Sequence, residues 1–400
     1  MENIVLLTKD AMHRGYLPIY GNKYWKTPNI DELAAKGTVF QKCYTGAPST
    51  VMSNMCMFTS KYPHESELSD YTFSKIRYSG ETLFDYAASL GYECHIVWDE
   101  AWTTEFRMEE RYYCYGKETT IHKVKGFRQG VGAHYKHKGM LKPDAKKTDH
   151  VFFAITELLQ DILSHSKPVF LWLHVPHVIN GRVGYGQDID VFDHIVGLLR
   201  NYFSDNNIFI AADHGNMNSV KGKLQYGHDV YEPNSHIPLI APRIDNLAVY
   251  EDVFSNIDLK TLIFNRTIPR REYVFSDTAF YGQPNRKLAI ITKEYKYIYN
   301  KIDGTEELYD LFYDPHEDAN LLQDEVYDVD RHCASPFREL YFYPCWDRIG
   351  DITEYFRNIK NEMWKTAGKK AERIPRLKYL YKVNIYGKMQ QIKMRRKYKK

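Results

Sequence analysis

The sequence predicts an α/β protein with a mostly parallel central sheet flanked by helices, then a small antiparallel subdomain and a helical basic tail. Short apolar runs alternate with amphipathic helical patterns over residues 1–265, which implies strands linked by covering helices. Closely spaced strand runs with turn residues between them follow over 266–333. A single helical pattern and a polybasic run fill 334–400. These three stretches are the expected domains: a catalytic α/β domain, a β subdomain closing the site, and the helix with its tail.

In chain order, Ile4–Thr8, Glu93–Val97, Val169–Leu173 and Asn207–Ala212 read as strands, each a short apolar run ended by polar residues. Helices are expected at 29–37, which has an acidic first turn and stops at Gly37, and at Glu81–Leu90 before Gly91. Lys147–Ser164 places Val151, Ile155, Leu158, Leu159 and Ile162 on one face, and Asp190–Phe203 does the same with Val191, Ile195, Leu198 and Leu199. Glu272–Phe275, Leu288–Thr292 and Tyr295–Tyr299 read as antiparallel strands, with turns at Lys293-Glu294 and Asp303-Gly304. Ile352, Phe356, Ile359 and Met363 recur at helical spacing.

The composition, 44% apolar and 26% charged over 400 residues, excludes a disordered or collagen-like chain. The formal charge of +3 hides an asymmetry. Residues 365–400 hold 14 bases and one acid, whereas the rest hold 40 bases and 50 acids. An acidic body therefore carries a basic tail. No run approaches the roughly 18–20 apolar residues of a membrane span, and Met1-Glu2 leads straight into a strand rather than a secretory leader. A cytoplasmic protein is expected, peripheral on the inner face of the plasma membrane if the tail docks there. The six cysteines (Cys43, Cys56, Cys94, Cys114, Cys333, Cys345) show no C-x-x-C spacing and read as free thiols.

Parallel sheets collect ligands beyond the carboxyl ends of their strands. Asp10 follows the first strand, and Asp213-His214-Gly215 follows the strand at 207–212. Asp10 alone is equally a loop acid or a helix cap. With Asp213 and His214 it offers oxygen and nitrogen ligands to a divalent ion. Pro48-Ser49-Thr50 opens an apolar helical run that ends before Pro63. A hydroxyl at a helix start is either an ordinary N-cap or a nucleophile held where exposed N–H groups favour phosphate or sulfate.

Several segments together resemble the sulfatase group of the alkaline phosphatase superfamily. They are the strand ending in Asp10, residues 27–40 (TPNIDELAAKGTVF), Ala212-Asp213-His214-Gly215, and Gly227-His228 with Glu232-Pro233 and 236–240 (HIPLI). Glu307-Leu308-Tyr309-Asp310-Leu311, Asp314-Pro315, Glu317 and Asn320-Leu321 resemble the family's closing segment. The resemblance covers about residues 3–322 in order and implies the alkaline phosphatase-like fold.

The departures redirect the expected chemistry. Sulfatases carry Cys or Ser, oxidised to formylglycine, thirteen residues before the Pro of the closing Tyr-Pro; here that position is Thr50, and the family's following Arg is Asn54. The run Thr50-x-x-Ser53-x-x-Cys56-Met57-Phe58 looks instead like the nucleophile helix of bacterial phosphoethanolamine transferases. Phosphoglycerol transferases of the lipoteichoic acid synthase type also use Thr. Lys9-Asp10 stands where sulfatases have two acids, which makes a calcium site less plausible.

The resemblance thus implies Thr50 as nucleophile and Asp10, Thr50, Asp213 and His214 around one divalent ion. The oxygen and nitrogen ligands suit Zn²⁺ or Mn²⁺, and His177 with His228 would serve a second metal if one binds. His174 and His177, just after a strand, and His228 are candidate proton donors to the leaving alkoxide; a hydrogen-bonded core histidine is the alternative for His174.

The expected activity is transfer of a phosphoethanolamine- or phosphoglycerol-type group from a phospholipid or other phosphodiester donor onto a glycan or lipid-linked acceptor, as in surface polysaccharide biosynthesis. A phosphodiesterase or phosphonate monoester hydrolase using the same site is the alternative, and a non-enzymatic metal-binding scaffold the third. Residues 365–400 interleave bases with Tyr379, Leu380, Tyr381, Val383, Ile385 and Tyr386, a pattern suited to an anionic membrane surface. Nucleic acid is not expected as a partner, since the body is acidic and carries no nucleic-acid motif.

Overall fold

Among the described residues, eight strands and one short pairing segment form the large sheet. They are β1 (Ile4–Lys9), β2 (Thr38–Tyr44), β3 (Glu93–Asp99), β4 (Thr120–Val124), β5 (Val169–Val175), β6 (Ile208–Ala212), β7 (Leu239–Ala241) and β8 (Val249–Ser255). Their order is β8-β2-β7-β6-β1-β5-β3-β4, with His236–Ile237 also pairing to β2. The computed structural model describes residues 1–65, 76–100, 112–113, 116, 118–127, 145–176, 185–217, 220–222, 226–227, 229–278, 287–301, 303–322 and 348–367.

β1 runs parallel to β5 and β6, β3 runs parallel to β4 and β5, and β8 runs parallel to β2. Only β7 and the short His236–Ile237 segment run antiparallel to their neighbours. Every residue of β1, β5 and β6 is buried, as expected of strands covered on both faces.

The flanking helices are α1 (Pro28–Lys36), α2 (Thr50–Thr59), α3 (Leu83–Ser89), α4 (Ala145–Ile162), α5 (Tyr185–Leu199) and α6 (Leu259–Asn265). Val151, Ile155, Leu159 and Ile162 of α4 and Val191, Ile195 and Leu199 of α5 enter one core with the sheet, as their spacing predicts. α5 begins five residues before the expected start, at Tyr185 rather than Asp190. α2 is buried nearly all round, and Phe58 packs edge-on against Phe84 of α3 and Trp172 of β5 at 4.9 and 4.7 Å.

A second sheet, β9 (Val274–Asp277), β10 (Lys287–Ile291), β11 (Tyr295–Asn300) and β12 (Glu306–Asp310), is wholly antiparallel in that order. The sequence reading placed β9 two residues early and did not assign β12. Lys296 of β11 is fully buried and ties this sheet to the body. Its ammonium meets Glu232 Oε1 at 3.1 Å, Ser235 Oγ at 3.0 Å and Glu317 Oε1 at 2.9 Å. Helix α7 (Ile349–Ala367) lays Ile352, Phe356 and Met363 onto the antiparallel sheet, with Phe356 stacked on Tyr297 at 5.6 Å. Most of the basic tail, 368–400, lies outside the described residues. No helix among the described residues is long and apolar enough to cross a membrane.

Candidate active site

Strand register builds the site. Lys9, Val175 and Ala212, the last residues of β1, β5 and β6, are level with one another. The next residues of β1 and β6, Asp10 and Asp213, therefore emerge side by side. Ala11 adopts a left-handed conformation (φ 57°), which turns the chain so that its N–H donates to Asp213 Oδ1 at 3.0 Å. The His214 N–H donates to the same oxygen at 2.7 Å. The other oxygen, Oδ2, is fully buried and accepts no hydrogen bond among the described residues.

His214 is fixed by its own backbone neighbour. Its Nδ1 lies 2.7 Å from the Gly215 carbonyl, which can only accept, so Nδ1 carries the proton and Nε2 presents a lone pair. That Nε2 lies 3.0 Å from Thr50 Oγ1, 3.6 Å from Asp10 Oδ1 and 3.5 Å from Asp213 Oδ2. The ring of Tyr226 covers the imidazole at 4.4 Å. Gly215 is required by close approach rather than by turn geometry: a Cβ there would stand 2.0 Å from the Pro233 carbonyl.

Thr50 is the first residue of α2, and its hydroxyl faces the ligand cluster instead of capping the helix, 3.4 Å from Asp10 Oδ1. Ser49 occupies the cap position, but its side chain makes no capping bond. The ordinary-cap reading of this hydroxyl pair is thereby overturned.

Behind α2 lies a polar brace that the sequence did not reveal. Ser53 donates to the Asp213 carbonyl and accepts from Thr45 Oγ1 and Asn256 Nδ2, both at 2.9 Å. Asn256 Oδ1 accepts from Gly46 N at 2.9 Å. Asn256 is 206 residues from Thr50 in the chain, and nothing local marks it. Asn54, in the place of the sulfatase Arg, is 3% exposed, and neither end of its amide has a hydrogen-bond partner among the described residues.

The cluster fits a divalent cation. One ligand atom each from Asp10, Asp213 and His214 lies within 4.8 Å of the others, and all three side chains are buried. Burial, and then the charge of Asp10, pushes the Asp213 carboxyl well above the usual carboxylate range. Two buried carboxylates with an unbonded oxygen between them and an imidazole lone pair are poorly matched to each other and well matched to a positive ion.

The remaining expected residues fall into two groups. His174, 1% exposed, lies behind Asp213, with its Nδ1 at 2.8 Å from Thr8 Oγ1 and its Nε2 at 4.0 Å from Asp213 Oδ2. Thr8 Oγ1 also accepts from Trp172 Nε1 at 2.8 Å, and burial lowers the His174 pKa to about 4, so the ring is neutral. His177 and His228 lie outside the described residues. Lys9 turns out to be a structural anchor, donating to Asp188 Oδ2 and to the Pro176 carbonyl, each at 3.0 Å. Cys43, Cys56 and Cys94 are free and buried; the other cysteines lie outside the described residues.

Residues 2–178 match the Sulfatase family model. Among curated relatives, an arylsulfatase of Clostridium perfringens is 39% identical over 57 residues, 14% of this chain and 12% of that protein. An N-acetylgalactosamine-6-sulfatase of Rattus norvegicus is 39% identical over 61 residues, 15% of this chain and 12% of that protein. The chain thus spans about an eighth of the length of these relatives.

Solved structures align over far more. The phosphonate monoester hydrolase of Agrobacterium radiobacter superimposes with a TM-score of 0.64 at 15% identity, over 91% of this chain and 96% of that one. A 2-O GAG sulfatase gives 0.62 at 14% identity, over 92% of each chain. Residues 2–178 are thus similar to the Sulfatase family, and the chain shares the fold of a 2-O GAG sulfatase and of a phosphonate monoester hydrolase.

Proposed function

We propose that this chain is a metal-dependent phosphotransferase that uses Thr50 as a covalent nucleophile. The observation that carries the reading is the position of Thr50 Oγ1, at the start of α2 and 3.0 Å from His214 Nε2. Asp10, Asp213 and His214, with Thr50 itself, would hold one divalent ion, and this mixed oxygen and nitrogen set suits Zn²⁺ or Mn²⁺. Such an ion, when bound, supplies Lewis acidity that lowers the pKa of a neighbouring hydroxyl and offsets phosphoryl charge.

The chain's own groups supply the rest. Asp10 Oδ1, 3.4 Å from Thr50 Oγ1, is within reach of the Thr50 proton, while His214 Nε2 gives its one lone pair to the ion. The brace of Thr45, Ser53 and Asn256 fixes α2 against the chain at Asp213, so the nucleophile keeps its distance from the ligands. Thr50 Oγ attacks phosphorus, the donor alkoxide leaves with a proton, and an acceptor hydroxyl then displaces Thr50 from the phospho-threonine diester. His177 and His228 are the proposed donors of the leaving-group proton; His174 supports Asp213 from behind. The donor is a phosphoethanolamine- or phosphoglycerol-type phospholipid, the acceptor is a glycan or lipid-linked glycan, and the basic tail docks on the anionic membrane that presents them.

Water as final acceptor gives the second reading, a hydrolase; the structural likeness to a phosphonate monoester hydrolase favours it. The two readings share the first half-reaction. Peptide mass mapping after incubation with phospholipid should find an adduct on Thr50, absent in Thr50→Ala. Activity unchanged in Thr50→Ala refutes both. Release of the donor alcohol and a phosphate monoester (phosphoethanolamine or phosphoglycerol) without any glycan selects the hydrolase.

A further inference from the structure

We propose a second metal site, suited to Zn²⁺, from Glu93, His95 and His165 at the opposite end of the large sheet. Glu93 and His95 open β3, and His165 lies in the turn before β5, so the site sits at the amino ends of strands whose carboxyl-side neighbours carry Asp10 and Asp213. Glu93 Oε1 is 3.2 Å from His95 Nε2 and 3.1 Å from His165 Nδ1, and one ligand atom from each of the three lies within 4.8 Å of the others. Zinc bonds of about 2.0–2.1 Å in tetrahedral array require ligand atoms about 3.3 Å apart. The two short separations match that edge.

His165 Nδ1 lies at hydrogen-bond distance, 3.1 Å, from both Glu93 oxygens, and a second observation, at His95, points to a ligand. His95 is 2% exposed, and its Nε2, aimed at Glu93, forms no hydrogen bond among the described residues. The other ring nitrogen is already provided for: Nδ1 lies 2.9 Å from His122 Nε2 on β4, with the two rings stacked at 5.1 Å. An Nδ1–H donating to His122 leaves the Nε2 lone pair for a metal, the outer-shell arrangement that orients metal-bound histidines. The side chains of His165 and Glu93 are 41% and 30% exposed, which gives the ion a path of entry and leaves water as the fourth ligand. Zinc here would clip the α4–β5 turn to the edge of the sheet.

The test uses the whole chain, stripped with chelator, dialysed against excess Zn²⁺ and desalted, with zinc counted by atomic emission. The variant Asp213→Asn disables the other cluster, so this site is read alone. It should retain close to one zinc per chain, and the added substitution His165→Ala, at an exposed position, should weaken binding at least 100-fold. Co²⁺ bound to Asp213→Asn should give visible absorption that His165→Ala abolishes, and Zn²⁺ should raise the melting temperature of Asp213→Asn but not of the double variant. The proposal is overturned if folded Asp213→Asn binds no zinc, or if its zinc survives His165→Ala. In otherwise wild-type protein, His165→Ala should remove one metal equivalent; an unchanged count also overturns it.

Discussion

Lys9→Met probes the buried ion pair at the end of β1. Lys9 and Asp188 have side-chain exposures of 2% and 4%, with Nζ to Oδ2 at 3.0 Å, and the ammonium also donates to the Pro176 carbonyl at 3.0 Å. Methionine keeps the apolar stem and removes three charge-assisted donors. The Asp188 carboxylate then stays buried and loses the Lys9 ammonium, a loss of about 3–5 kcal/mol. With an unfolding entropy of about 2.1 cal/mol/K per residue over ~400 residues, 4 kcal/mol corresponds to a fall in Tm of about 5 °C. Lys9→Met/Asp188→Leu removes both charges and should recover at least half of the loss, because the buried carboxylate is gone as well. Urea and thermal unfolding at pH 7 measure both variants, and the loss should be nearly insensitive to salt because the pair is shielded from solvent. A loss below about 1 kcal/mol in the single variant, or a double variant as unstable as the single, refutes the reasoning.

Asn256→Ala removes one amide from the brace behind α2 and should cost about 1–3 kcal/mol in urea unfolding; wild-type stability would show that Thr45 and Ser53 suffice without it. Asp10→Asn should weaken divalent-metal binding at the Thr50 site at least 10-fold by titration calorimetry while leaving the fold intact, and unchanged affinity would remove Asp10 from the ligand set. Burial raises the Glu317 carboxyl to about 7, so the folded state holds a proton that the unfolded chain releases near 4.5. Its contribution to stability is therefore full below about pH 4.5 and is lost as pH rises towards 7; thermal melts across that window should show a component of this slope that Glu317→Gln removes. Wild-type protein should sediment with anionic liposomes and a form truncated after Trp364 should not; equal sedimentation would sink the membrane role of the tail.

The sequence was most informative where burial is two-sided. β1, β5 and β6 are buried along their whole length and β3 along all but Glu93, and each lies within two residues of its expected ends. β2 and β8 escaped because they alternate: Gln41 and Lys42 interrupt β2, and Glu251 and Asp252 interrupt β8 where its register to β2 shifts. Asp10, Asp213 and His214 were legible because a parallel sheet presents its strand ends together. Asn256 was not, since its role depends on a contact between distant segments that no local period encodes. The role of Gly215 was not legible, since only the folded chain brings the Pro233 carbonyl against it.

Lys9 shows why a departure from a family pattern need not be a loss. An acid at position 9 would add a third carboxylate at the end of β1, close to two that are already buried, one of which, Asp213, already has its proton affinity raised by burial and by the charge of Asp10. Asp10 and Asp213 with a neutral His214 carry two negative charges, enough to balance a divalent ion without surplus, and few enough oxygens to disfavour the six to eight that calcium takes. Lys9 instead spends its charge on Asp188 and on the carbonyl just before position 177. The anchor therefore grips the chain where it leaves β5 and again where α5 begins. His177, the proposed proton donor, follows Pro176 directly in the sequence, so Lys9→Met should change the leaving-group step without touching the ligand set. Metal affinity that holds while turnover falls, most steeply for donors with poor leaving groups, is the pattern this arrangement requires. Loss of metal affinity in step with turnover would instead place Lys9 among the supports of Asp10.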